Sequence, residues 1–185
     1  MLTHAKPGSK VIYTNLSPIS FNTLNSYLKE EENKTASGHC HSESITKIMD
    51  NENISKSRVC LLDPKAPKEI SPEDINQFDY YLFGGILGDD PPRDRTKELR
   101  KLGFEGRHLG PRQMSTDTAL GVTKMVIKDQ IKLQDIKFID DPTITFSKQE
   151  SVDMPYRYIQ KENGEPLMAP GMLEHIRDDM NKSFI

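Results

Sequence analysis

Residues 79–94 gather most of this chain's candidate chemistry into one stretch: Asp79-Tyr80-Tyr81-Leu82-Phe83-Gly84-Gly85-Ile86-Leu87-Gly88-Asp89-Asp90-Pro91-Pro92-Arg93-Asp94. Gly84, Gly85 and Gly88 carry no side chains, so the backbone there can take positive φ and bring its amides close to a ligand. Asp89 and Asp90 follow at once, and Pro91 and Pro92 hold the chain extended beyond them. Carboxylates in such a turn can orient a cation or accept a proton from it. The spacing is not G-x-G-x-x-G, nor is a Lys-Ser/Thr pair present after the last glycine, as a phosphate loop requires. Asp89 stands where a phosphate-binding lysine would be, which disfavours an anionic ligand and favours a cationic or neutral one. The same residues also describe a glycine turn with a solvated acidic corner, and the local pattern leaves both readings open.

Other candidate clusters are thinner. Asp140 and Asp141 form a second acidic pair. Gly38-His39-Cys40-His41 sets two imidazoles around a thiol, but a structural zinc site needs four ligands and no second cluster supplies them, so no metal is expected. There is no Gly-x-Ser-x-Gly elbow and no paired Cys/His nucleophile, so acyl transfer has no candidate constellation.

The elements that must position the glycine turn are legible. Tyr80, Tyr81, Leu82 and Phe83 make a short apolar run suited to a strand buried on both faces, and Arg58, Val59, Cys60, Leu61 and Leu62 make another. Between them, Ser71 caps a short helix with Pro72 at its first position and Glu73 and Asp74 in its first turn. Strand, helix and strand in that order predict a βαβ unit and a parallel sheet with covered faces. Asp94 is placed to cap a helix through Leu102 that Gly103 closes, and residues 104–110 bring a second glycine-bearing turn. Residues 115–131 carry the strongest helix signal: Ser115 or Thr116 as cap, Asp117 complementing the dipole, and Ala119, Leu120, Val122, Met125, Val126 and Ile127 as a broad apolar face. Gly121 inside that helix predicts close packing against another backbone. Upstream, a strand is expected over 10–14, a helix over 19–28 and a flexible loop over 33–57 with a short helix at Ile45, Ile48 and Met49. Downstream, a strand is expected over 136–139, then an irregular arm from 151 and a helix starting near Gly171.

At 185 residues the chain is expected to form a single domain, 1–185. Only 35% of residues are hydrophobic against 29% charged, which assigns part of the chain to loop or tail. The net charge of −3 argues against a surface built throughout for a phosphate backbone, although a local basic patch stays open. Cys40 and Cys60 lie in dissimilar contexts, so no disulfide framework is expected. No signal-peptide core or membrane-length apolar window is present, so the expectation is a cytoplasmic protein without a membrane partner.

Three ordered segments together carry a family resemblance: Leu61-Leu62-Asp63-Pro64; then Tyr81 to Asp89 of the glycine turn; then Arg107-His108-Leu109-Gly110-Pro111-Arg112-Gln113-Met114-Ser115-Thr116-Asp117-Thr118-Ala119. In these the chain resembles the SPOUT (class IV, knotted) S-adenosylmethionine-dependent methyltransferases, most closely the small archaeal and fungal branch whose yeast member is a protein arginine methyltransferase acting on a small-subunit ribosomal protein. The resemblance implies an α/β fold with a parallel sheet, helices on both faces and a C-terminal trefoil knot, an exception to the rule that chains do not thread loops. It implies S-adenosyl-L-methionine as cofactor, held at three loops. By position these are Leu62, Asp63 and Pro64; Phe83, Gly84, Gly85 and Gly88; and Arg107, His108, Leu109, Gly110 and Met114. Members of the family open with a further strand and helix, so the chain is expected to lack that first unit.

The expected reaction is in-line methyl transfer to an arginine of a ribosomal protein substrate, with carboxylates orienting the guanidinium and helping it lose a proton. Asp89 is the expected orienting or proton-accepting acid, with Asp94 and Asp90 beside it; a plain helix cap is an equal expectation for Asp94. Two alternatives remain. One is purine-N1 methylation of tRNA, because Lys and Arg outnumber acids over 93–112; RNA contact is less favoured given the overall acidity. The other is a binding protein that keeps the fold without turnover. Monomer and homodimer are undecided.

Overall fold

The structure is a computed structural model that describes residues 1–5, 7–30, 36–84, 94, 96–148 and 150–182. One helical turn, α1 (Leu2–Ala5), leads to the strand β1 (Lys10–Tyr13), and α2 (Pro18–Glu30) connects that strand to its parallel partner β2 (Ser37–Cys40). Pro18 occupies the first position of α2 and the Ser17 hydroxyl accepts from the Ser20 amide, a favourable start for a helix. Leu28 lies directly on β2, since a Cβ added to Gly38 would stand 2.6 Å from its side chain. Tyr27, expected on the same apolar face, is exposed.

The stretch 33–57, expected to be a flexible loop, carries β2 and a second capped helix, α3 (Ile45–Glu52), with 33–35 outside the described residues. Ser44 accepts from the Lys47 amide at its start, Asn53 ends it at φ 55°, and Ile48 and Met49 are buried. Polar composition hid this order: β2 is Ser-Gly-His-Cys, held by its backbone ladder to β1 rather than by large apolar side chains.

β3 (Val59–Leu62) is the centre of a second parallel sheet, with β4 (Tyr80–Phe83) on one side and, after α4 (Lys97–Lys101), β5 (Glu105–Arg107) on the other. All four residues of β3 are buried, and they alternate. Cys60 and Leu62 enter a core with Ile70, Phe78 and the helix α5 (Thr116–Ile127), whose Val122 and Val126 are fully buried. Val59 and Leu61 enter another with Met49 and Phe104, lined also by Ile45 and Leu99. The period of two along a strand thus places α5 on one face and α3 with α4 on the other. The short helix expected after Ser71 is a 3₁₀ turn, Pro72–Asn76, opened by a capping box in which the Ser71 amide donates to the Asp74 carboxylate.

Beyond α5 the architecture turns antiparallel. β6 (Phe138–Asp140) pairs with β9 (Arg157–Ile159), and β7 (Thr143–Thr145) pairs with β8 (Ser151–Asp153). The strand expected over 136–139 is therefore shifted and lies outside the parallel sheet, and the arm expected to be irregular contains two strands. Three-residue strands are too short for alternation to show in sequence. The final helix, α6 (Met172–Lys182), follows Gly171 as expected.

Gly121 shows how α5 is seated. A Cβ there would lie 3.2 Å from Cδ1 of Ile159 and 3.8 Å from His4, so its close neighbours are side chains of β9 and α1 rather than another backbone. Gly121→Val is expected to cost about 1–3 kcal/mol through overpacking. Gly121→Ala should stay near neutral, because the gain in helix propensity of about 0.5–1 kcal/mol offsets a small displacement of Ile159. Urea unfolding midpoints check this ordering, and equal stability of the valine variant would refute it.

Candidate active site

The ladder register brings the three expected loop segments to one edge. Leu62, the last residue of β3, lies opposite Phe83 at the end of β4 and opposite Arg107 at the end of β5. The strand order β4-β3-β5 reverses direction at β3, and the carboxyl ends of strands at such a switch point are where open α/β sheets bind ligands. Leu62 and Met114 are buried in the core beneath this edge, and Phe83 and Leu109 pack against it. Gly84 is buried at the end of β4, and Gly110 takes φ +91° with open space where a side chain would project. An apolar floor under exposed main chain suits a flat aromatic group that is recognised through backbone hydrogen bonds.

Side-chain electrostatics at this edge were not visible in the sequence. The Asp63 carboxylate is 4% exposed and receives Arg100 through Nε at 2.5 Å and Nη2 at 2.7 Å, while its Oδ1 also accepts from the Lys65 amide. Arg100 continues to Asp94 with both terminal nitrogens at 3.1 Å, and Lys65 Nζ reaches Asp94 at 2.7 Å. Two acids and two bases thus close a neutral network across the start of α4. Hydrogen bonds from Arg100, and for Asp94 also from Lys65, hold both carboxyls well below the ordinary carboxylate range. Asp63 is therefore fully engaged and fixes its loop instead of offering a free oxygen. Asp94 is a weak proton acceptor, and it does not cap α4 with its side chain: Thr96 is the N-cap residue, and only the Asp94 carbonyl accepts, from the Lys97 amide at 3.4 Å. Arg100 lies among several surface-type basic residues, so nothing in the sequence distinguished it.

The Arg107 backbone lies at the edge, where its carbonyl accepts from the Asp63 amide at 2.9 Å. Its side chain turns away into the protein. The guanidinium is 4% exposed, pairs with Asp74 at 2.9 Å and Glu105 at 2.9 Å, and stacks 5.0 Å from the Phe78 ring. His108 is likewise tied down. Its amide donates to Lys68, its carbonyl accepts from Ile70, and Nδ1 accepts from the Gly110 amide at 3.1 Å. Pro64 is exposed beside Asp63.

Gly85, Gly88, Asp89 and Asp90 lie outside the described residues. Asp140, from the second acidic pair, is held by Arg157 at 2.6 Å, with Arg112 at 3.8 Å. Among the described residues of the basic run over 93–112, Arg100 and Arg107 are held in ion pairs inside the fold, Lys101 pairs with Glu98 at the surface, and Arg112 lies exposed 3.8 Å from Asp140. His39 and Cys40 sit on successive positions of β2 and so point to opposite faces, and no metal-ligand cluster occurs among the described residues.

The buried Asp63 carboxylate makes acid sensitivity predictable. Its folded pKa lies below the ordinary value of 3.8, so the unfolded chain binds more protons as pH falls toward and below that value. The stabilisation is fully present above about pH 5 and is lost progressively on acidification. Asp63→Asn is expected to lower stability at pH 7 by about 1–3 kcal/mol and to flatten its loss between about pH 5 and pH 3. Urea titrations at both pH values check it; parallel pH slopes for the two proteins would refute it.

Comparison with known proteins agrees in sequence and in shape. Residues 1–183 match the family model described as SFM1-like, protein arginine N-methyltransferase SFM1-like. Over 140 residues the chain is 50% identical to protein arginine N-methyltransferase SFM1 of Saccharomyces cerevisiae, a match covering 74% of this chain and 66% of the yeast protein, just under two thirds of its length. The crystal structure of the yeast arginine methyltransferase SFM1 complexed with SAM superposes with a TM-score of 0.80 at 40% identity, covering 91% of this chain and 76% of that one. The complex with SAH gives 0.76 at 38% identity, covering 89% and 79%. A family model that spans nearly the whole chain, joined to a relative at this identity, shows that the chain belongs to the SFM1-like protein arginine N-methyltransferase family.

Proposed function

We propose that this chain is an S-adenosyl-L-methionine-dependent protein arginine N-methyltransferase whose site is the carboxyl edge of β4-β3-β5. The observation that carries the reading is the register that sets Leu62, Phe83 and Arg107 side by side above an apolar floor. Residues 62–64, 83–88 and 107–114 would hold the cofactor, with Leu62, Phe83, Leu109 and Met114 against the adenine and main-chain groups of Gly84, Gly85, Gly88 and Gly110 against its polar atoms. The bound cofactor supplies a methyl group activated on a sulfonium. The protein's part is to exclude water, to hold the acceptor nitrogen in line and to receive its proton.

Asp89 and Asp90 are the proposed acids toward the acceptor guanidinium. Asp94 is proposed to anchor the turn that carries them, through Arg100 and Lys65, rather than to take the proton. Within the same reading, the C-terminal arm completes a trefoil knot of the SPOUT kind; support comes from Arg157 of β9, whose amide donates to the Gln113 carbonyl in the loop after β5. The protein substrate is proposed to be a small-subunit ribosomal protein in the cytoplasm, following the resemblance of the three sequence segments. Among the described residues, no helix is long and apolar enough to cross a membrane.

The basic run over 93–112 is the one feature favouring tRNA as acceptor, and the internal pairing of Arg100 and Arg107 weakens that reading. Incubating the full chain with radiolabelled S-adenosylmethionine and either small-subunit ribosomal proteins or total tRNA separates the two. Label released on hydrolysis as methylated arginine is expected, and label in RNA alone would overturn the proposal. Asp89→Asn is expected to lower kcat about tenfold or more while leaving cofactor affinity within about twofold. An unchanged rate would remove Asp89 from the chemistry.

A further inference from the structure

The loops after β3 and β5 are joined by main chain. The Asp63 amide donates to the Arg107 carbonyl at 2.9 Å, the His108 amide to the Lys68 carbonyl at 2.9 Å, and the Ile70 amide to the His108 carbonyl at 3.1 Å. A Cβ added to Gly106 would stand 3.0 Å from Cβ of Ala66, so the loop after β3 lies close against β5. The glycine turn is joined to this pair in another way. Among the described residues, Asp94 at its end reaches them through two side chains, Arg100 and Lys65.

Arg100 is seated by contacts that involve neither acid. Leu99 beside it packs against the core of Val59, Leu61 and Phe104. At the far end of α4, Lys56 Nζ donates to the Leu102 carbonyl at 2.7 Å, with its ammonium 5.8 Å from the Phe104 ring. From that seat the guanidinium sends Nε and Nη2 to the two oxygens of Asp63, and Nη1 and Nη2 to the two oxygens of Asp94. Nη2 serves both carboxylates. A planar fork of five donors can fix two carboxylates at set angles, whereas an ammonium is a point charge on a flexible stem. One arm of the bridge is buried, with Asp63 4% exposed, and the other is open to solvent, with Asp94 28% exposed.

We infer that Arg100 is a positioning residue for methyl transfer, its single guanidinium fixing the cofactor loop at Asp63 and the end of the acidic turn at Asp94 relative to each other. The inference deepens the methyltransferase reading and rests on it. Asp89 and Asp90, the acids proposed toward the acceptor, precede Asp94 by only a few residues, and Pro91 and Pro92 restrict the chain between them. Arg100 thereby acts through Asp63 on the loop that holds the methyl donor and through Asp94 on the acids that hold the acceptor nitrogen. In-line displacement depends steeply on that spacing, since a misplacement of about 1 Å can cost on the order of a hundredfold in rate. The contribution of Arg100 through Asp94 therefore belongs to kcat rather than to cofactor affinity.

The test compares Asp94→Asn, Arg100→Lys and the double variant in the full chain, using S-adenosylmethionine with saturating small-subunit ribosomal proteins for rates and S-adenosylhomocysteine for calorimetry. Asp94→Asn keeps the buried Asp63 pair but turns an amide N–H toward Arg100 or Lys65. It is expected to lower kcat about tenfold or more, while KM for S-adenosylmethionine and affinity for S-adenosylhomocysteine stay within about twofold of wild type. Its urea midpoint should barely move, because a half-exposed pair adds little stability. Arg100→Lys, which keeps a positive charge beside Asp63, should lose at least as much kcat. The double variant should lose far less than the product of the two single losses, because both changes cut the same link. Wild-type kcat in Asp94→Asn, losses that multiply in the double variant, or a fall in S-adenosylhomocysteine affinity in Asp94→Asn as large as the fall in kcat would each overturn the positioning role and leave the methyltransferase reading standing. Failure of the wild-type protein to bind S-adenosylhomocysteine or to transfer label would overturn that reading, and the positioning role with it.

Discussion

Everything at the candidate site follows from β3 being buried on both faces. Val59, Cys60, Leu61 and Leu62 send alternate side chains into two different cores, so a slip of one residue would exchange the contents of both. The strand's register is thereby fixed from two sides, and its ladder passes that register to β4 and β5. Placing three loops at one level requires no specific loop contact; it is the consequence of three parallel strands ending together. Hydrophobic burial thus sets where main-chain groups can meet a ligand, while the loops need only short, unobstructed backbone.

Charge does the second part of the work. Three guanidinium groups are each held by carboxylates near this edge: Arg100 by Asp63 and Asp94, Arg107 by Asp74 and Glu105, and Arg157 by Asp140. The Arg107 pair is almost fully withdrawn from water, and such a pair is kept only when its hydrogen bonds are well satisfied. Here Gln77 and the Gly106 carbonyl complete it. The Arg100 network is half exposed, so its contribution to stability is smaller, but it ties the loop after β3 to the end of the acidic turn. Removing Arg100 would leave Asp63 buried without its main partner and would loosen two of the three loops at once.

How much of this was legible in the sequence depended on the kind of signal. Val59 to Leu62 announced its place because a strand buried on both faces reads as an unbroken apolar run, and Ser71-Pro72-Glu73-Asp74 announced its cap because capping chemistry is local; Tyr80 to Phe83, read the same way, pairs with it as expected but is an edge strand, half-buried with Tyr80 exposed, because nothing pairs on its far side among the described residues. β2 escaped because its order comes from backbone pairing, and β7 to β9 escaped because three residues cannot display a period. At the site, the loops were found as loops. The roles of Asp63, Asp94 and Arg107 were not, since each depends on a partner 37, 6 or 33 residues away that only the fold supplies. An acid in a motif reads as free in sequence, whereas Asp63 and Asp94 are engaged only through what the fold brings beside them.

That difference also bears on why a cationic acceptor fits. A surface meant for a nucleic acid would leave its basic residues unpaired and reaching outward, and Arg100 and Arg107 of the 93–112 run do the reverse. Their positive charge is cancelled internally, so it neither attracts a phosphate backbone nor repels an incoming guanidinium.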